Sequence, residues 1–85
     1  MPKFTYMPAR KEPDTRFYAG RLAARLRMLR EKAGYTPQEI AEAMGVKSLR
    51  TIYDWESGHS QPQITQLPLL AEIYGIEIRT ILPKK

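Results

Sequence analysis

Cysteine is absent from these 85 residues and histidine occurs once, at His59. Neither a disulfide framework nor a Cys/His zinc site can be assembled from that inventory, so stability has to come from apolar packing and no metal is expected. Thiol redox chemistry is excluded with them. Long hydrophobic runs are missing too: the longest uncharged apolar stretch, Leu67 to Ala71 with Pro68 inside it, falls far short of the ~20 residues that a bilayer span requires. No membrane crossing is expected. Pro2, Pro8 and Pro13 interrupt the start of the chain, which therefore does not resemble a secretory signal, and together with the lack of cysteine this points to a cytoplasmic setting. Finally, no catalytic constellation can be picked out. There is no reactive thiol and no second histidine, and the carboxylates are scattered without a cleft to hold them, so neither an enzyme nor a cofactor is expected.

What is present is positive charge. Fourteen Lys and Arg against nine Asp and Glu give +5. The excess is uneven: Lys3, Arg10, Lys11, Arg16, Arg21, Arg25, Arg27, Arg30 and Lys32 face only Glu12, Asp14 and Glu31 within the first 36 residues. A basic half on a small protein favours a polyanionic partner, because each phosphate neutralised releases condensed counterions. Basic charge alone is equally compatible with a solvated surface.

The pattern of residues then divides the chain. Residues 1–14 show no period of two or of 3.6 and read as a flexible or extended arm. From Tyr18, the residues Tyr18, Leu22, Leu26, Leu29 and Ala33 recur at helical spacing, with arginines off the stripe, and Gly34 stops that helix. Thr36-Pro37-Gln38-Glu39 supplies an N-cap, a proline at the first helical position and a capping-box glutamate, opening a second, two-turn helix that runs to Gly45. Ser48 is positioned to cap a third helix carrying Ile52 and Trp55 inward and ending at Ser57-Gly58. Thr65 is a candidate cap for a fourth, with Pro68 in its first turn, Leu67, Leu70, Ala71 and Tyr74 facing inward, and Gly75 ending it. Ile78, Ile81 and Leu82 suggest a short fifth helix before Pro83. Ile76 and Ile78 also alternate with charged residues, but so short a strand without a partner is marginal.

Gln38-Glu39-Ile40-Ala41, three residues, Gly45-Val46, then Ile52 and Trp55-Glu56 describe two short helices joined by a tight turn. A small residue at Ala41 lets two helix axes cross closely, Gly45 permits the turn, and Val46 and Ile52 bury the junction. With Leu29-Arg30, Trp55-Glu56-Ser57-Gly58, Pro62 and Leu70-Ala71-Glu72-Ile73-Tyr74-Gly75, the chain resembles the helix-turn-helix domains of the Xre type, the group that contains the phage lambda repressor and Cro proteins. The resemblance spans roughly residues 20–82. It implies an all-α, five-helix, lambda-repressor-like DNA-binding domain over 17–83 with a flexible basic N-terminal arm over 1–16. Three features depart from the family pattern: the Gly45 to Ile52 turn is one residue longer than the commonest spacing, Pro37 replaces the usual glutamine, and Glu77 stands where serine or aspartate would better cap the fifth helix.

The resemblance places the third helix in the major groove, its N-terminal residues reading base edges. Ser48, Leu49, Arg50, Tyr53 and Asp54 are the candidate readers. Turning about 100° per residue from Ile52 puts Arg50, Tyr53, Asp54 and Ser57 together on the side away from the core. Arg50 suits guanine O6 and N7, whereas Asp54, repelled by phosphate, is better placed to pair with Arg50 one turn away. Gln38, Lys47, Ser57, His59 and Ser60 are candidate phosphate contacts. Arg30 and Glu56 match the family positions that form an ion pair beneath the motif. A domain this small gains affinity by pairing, and Ile76, Ile78, Ile81 and Leu82 are the candidate dimer surface, or else the completion of the monomer core. The resulting expectation is a sequence-specific double-stranded DNA-binding transcriptional regulator, of phage or mobile-element repressor type, acting as a homodimer on an inverted repeat. The alternative is a protein-interaction module, such as an antitoxin or adaptor, with weak DNA binding. The arm suits DNA, solvent or a protein partner equally.

Overall fold

The computed structural model describes residues 13–83. In chain order they form α1 (Tyr18–Ala33), α2 (Pro37–Met44), α3 (Leu49–Ser57), a 3-10 turn (Ile64–Gln66), α4 (Leu67–Tyr74) and α5 (Ile78–Ile81), with no strand among the described residues. All but α1 are far too short to hold together alone in water, so burial of one face stabilises them. Those faces meet in one core. Leu22, Leu26 and Leu29 of α1 pack with Ile40 and Ala41 of α2, Ile52 and Trp55 of α3, Leu70, Ala71 and Tyr74 of α4, and Ile81 of α5. Leu26, Ile40, Ile52, Leu70 and Ile81 are fully enclosed.

The α1 stripe is shorter than its periodicity predicts. Tyr18 and Ala33 are exposed, because the ends of the helix run past the core. Near its start the helix approaches Gly58 through Ala19, Gly20 and Ala23, and the preceding chain through Gly20. Phe17 N–H donates to the Asp14 carbonyl at 3.2 Å, the Arg16 guanidinium grips the Asp14 carboxylate at 2.8 and 3.0 Å, and Arg21 Nη1 donates to the Thr15 carbonyl at 3.1 Å. A Cβ on residue 20 would overlap the Asp14 carbonyl, so only glycine admits this crossing. The last residues assigned to the arm therefore form a turn folded back on α1, while the arm over 1–12 lies outside the described residues.

Thr65 does not cap α4. It lies inside the 3-10 turn, which Gln63 and Gln66 close between them: Gln63 N–H donates to Gln66 Oε1 at 2.7 Å and Gln66 N–H to the Gln63 carbonyl at 2.8 Å. Pro68 does sit in the first turn of α4, where its missing N–H leaves no bond unmade. The alternation at Ile76 and Ile78 is no strand: Ile76 lies in the α4–α5 connection and Ile78 opens α5. Glu77 precedes α5 without making a side-chain cap bond.

Candidate nucleic-acid interface

The local sequence of α2 and α3 fixes how they start and stop. Glu39 N–H donates to Thr36 Oγ1 at 3.1 Å and Thr36 N–H to Glu39 Oε1 at 2.8 Å, a reciprocal pair of bonds that opens α2. Gly45 ends it with φ of 74°, a conformation that costs a side-chain-bearing residue ~1–2 kcal/mol. Val46 N–H then reaches back to the Ala41 carbonyl at 3.1 Å. The first helical residue of α3 is Leu49, with Ser48 Oγ accepting from Arg50 N–H at 3.1 Å.

On its inner side α3 buries Ile52, Trp55 and Glu56. On its outer side, Lys47, Ser48 and Arg50 are exposed, and Tyr53, Asp54 and Ser57 are half-buried. Leu49 is partly buried and packs against the core. Arg50 Nε lies 3.8 Å from Asp54 Oδ2, with 69% of its side chain exposed. That is an ion pair but too long for a hydrogen bond, so the guanidinium donors of Arg50 remain free.

Three candidate phosphate contacts have prior engagements. The Asp54 carbonyl accepts from Gly58 N–H at 3.1 Å, His59 N–H at 3.0 Å and Ser60 N–H at 3.2 Å, and Ser57 Oγ donates to the same oxygen at 3.3 Å. This leaves His59 and Ser60 their exposed side chains, and Ser57 little. Nothing in the residue types signalled that carbonyl as a hub; it follows from the tight end of α3. At the start of α2, Pro37 has no N–H and that of Glu39 is taken, while the Gln38 side chain is exposed and lies 3.4 Å from Glu42 Oε2.

Beneath the motif, Arg30 Nε donates to Glu56 Oε2 at 2.8 Å and Arg30 Nη2 to Oε1 at 3.1 Å. Both side chains are more than nine-tenths buried. The remaining nitrogen, Nη1, donates to the Tyr35 carbonyl at 2.8 Å, a contact the sequence did not announce. One guanidinium thus ties α1, the turn after it and α3 together. Burial works against the Arg30 charge, but the hydrogen bonds and negative charge of Glu56 outweigh it and hold the guanidinium above its ordinary pKa. Tyr74 lies close by, and burial, reinforced by Glu56, pushes its phenol well above the ordinary range.

The candidate dimer surface divides. Ile81 has no exposed area, because α5 turns it into the core, and it has to be removed from any such surface. Ile76 packs partly on that core, whereas Ile78 and Leu82 are about two-fifths exposed, at 40% and 39%.

This arrangement of two capped helices around a left-handed glycine, with the second helix braced from behind, is matched over residues 26–81 by the helix-turn-helix family. The chain belongs to that family, in its Xre and lambda Cro-like group. Two solved structures are similar to this helix-turn-helix chain. One is the crystal structure of the DNA-binding domain of BldD, with 28% identity, coverage of 78% of this chain and 94% of that one, and a TM-score of 0.67. The other is the S. venezulae BldD DNA-binding domain, also at 28% identity and a TM-score of 0.67, covering 78% of this chain and 97% of that one. Among curated proteins, none matches the chain.

Proposed function

We propose that this helix-turn-helix chain is a cytoplasmic, sequence-specific regulator of transcription that binds double-stranded DNA through the major groove. The observation that carries the reading is the N-terminal end of α3, where Ser48 and Arg50 stand exposed on a helix held from behind by the Arg30 to Glu56 pair. Membership of the family and likeness to structures described as DNA-binding domains support it. Arg50 reads guanine, Ser48, Tyr53 and the exposed edge of Leu49 contact neighbouring base edges, and Asp54 restrains Arg50. Lys47, Gln38 and the side chains of His59 and Ser60 hold phosphates and set the register, with a minor part for Ser57. Residues 17–83 form the binding domain, and the basic residues 1–16 are an appended arm open to a protein partner. The protein acts as a repressor of phage or mobile-element type, as a homodimer on an inverted repeat. No catalytic role enters this reading.

Selection of bound duplexes from a random pool tests it, followed by affinity measurements on the recovered site. Arg50→Ala should remove about 1–3 kcal/mol of discrimination at one base pair. Lys47→Ala should weaken all sequences alike and lower the salt slope by about one. If Arg50→Ala affects specific binding no more than a remote surface substitution, α3 does not read bases. A response flat in salt would instead favour the protein-interaction module.

A further inference from the structure

The positive charge of α1 does not all serve the face that carries α3. With Leu22, Leu26 and Leu29 pointing into the core, a rotation of about 100° per residue puts Arg21, Arg25 and Lys32 on one strip, about 180° around the helix from Ala19, Gly20 and Ala23. Those three small residues are the ones that approach Gly58 at the end of α3. The strip therefore faces away from α3. Arg21 is occupied by the Thr15 and Arg16 carbonyls. Arg25 and Lys32 have neither a hydrogen bond nor an ion pair among the described residues. The acid nearest in sequence, Glu31, turns to the other side and meets Arg27 at 3.2 Å and Arg30 at 3.8 Å. Lys32, near the C-terminus of α1, is favoured there by the helix dipole; Arg25, mid-helix and half-buried, has no such explanation.

Apolar surface is interleaved with these cations. Tyr18 and Met28 are 41% and 44% exposed on the same strip. At its end Lys32 borders a shallow cleft between α1 and the α4–α5 connection, lined by Leu29, Ala33, Tyr74, Ile76 and Thr80. Lys32 at the rim of an apolar cleft, with Arg25 unpaired about two turns back on the same strip, complements a ligand that is acidic and apolar at once. Nucleic acid fits poorly, because Met28 and the cleft offer nothing to phosphate. We propose that this strip binds an acidic amphipathic segment of another protein, with carboxylates on Arg25 and Lys32 and an apolar side chain in the cleft. Because it lies across α1 from α3, such a segment binds without displacing a duplex held by α3.

The test uses the full chain and a synthetic peptide of repeating Glu-Glu-Leu units, with a Gln-Gln-Leu peptide as control, followed by methyl and amide NMR shifts. The Glu peptide should shift Met28, Leu29, Lys32 and Ile76 and leave Arg50 unmoved. Joint Arg25→Gln and Lys32→Gln substitution should weaken it about tenfold while duplex affinity stays within about threefold. Equal binding of the Gln peptide, shifts centred on α3, or an unchanged affinity of the double variant would overturn the proposal. Appearance of the Met28 and Lys32 shifts on raising the protein concentration alone would do so as well, since the occupant would then be a second copy of the chain; a shift confined to Ile76 reports only pairing through the neighbouring Ile78 and Leu82.

Discussion

Arg30 has three directional bonds in a site sealed from water, and its behaviour on substitution follows from that seal. Arg30→Ala strands the Glu56 carboxylate and should lower unfolding stability in urea by about 3–5 kcal/mol, whereas replacing both partners by apolar residues of similar volume should cost far less. A pair contributing mainly orientation, not stability, gives that asymmetry. Tyr74 makes a second prediction at the same scale. Its phenol is held above its ordinary value of 10.0 in the folded chain. Above pH 10 the unfolded chain loses that proton while the folded chain keeps it, so stability is complete below pH 10 and declines as pH rises beyond it. Tyr74→Phe should flatten that decline in denaturation curves measured across alkaline pH. An unaltered slope would mean that the phenol is not retained neutral by its surroundings.

At the scale of the element, α2 and α3 are only two turns each, so their ends matter as much as their faces. Thr36→Ala removes one bond of the reciprocal cap at α2 and should destabilise the protein by about 1 kcal/mol. The urea midpoint reads this directly, and Thr36→Ser should recover most of the loss. These ends were legible because each is signalled by a residue with a short-range role: Thr36 and Ser48 accept from amides two or three positions on, and Gly45 takes a left-handed angle. Thr65 misled because it has the same chemistry as a cap. The competing bonds of Gln63 and Gln66 opened a 3-10 turn two residues earlier, and cap propensity carries no information about such a rival.

At the scale of the whole molecule, Ile78 of α5 and Leu82 just after it are left outside the core, and the proposed homodimer has to bury them. Joint Ile78→Asp and Leu82→Asp substitution should give a monomer by sedimentation equilibrium. It should also reduce affinity for an inverted repeat by about tenfold or more while leaving a single half-site unchanged, because only the linked second binding event is lost. Unchanged sedimentation would place the pairing surface elsewhere. Circular dichroism verifies that the variant keeps its helices, since neither residue belongs to the enclosed core.

Helix number, the turn between α2 and α3, and the pairing partners Arg30 and Glu56 could be read from the chain, the first two from local chemistry and the last through family likeness. Local signals act over a few residues, and periodicity says which side of a helix is buried without saying how far along it the burial extends. Tertiary structure alone decided that Ile81 is enclosed while Ile78 and Leu82 are not, that the Tyr35 carbonyl completes the Arg30 site, and that Gly20 is where the chain before α1 crosses it. The same holds for the division of α1's positive charge between a braced site, a folded turn and a free outer strip. Each of these depends on which elements approach one another, and packing between helices distant in sequence sets that.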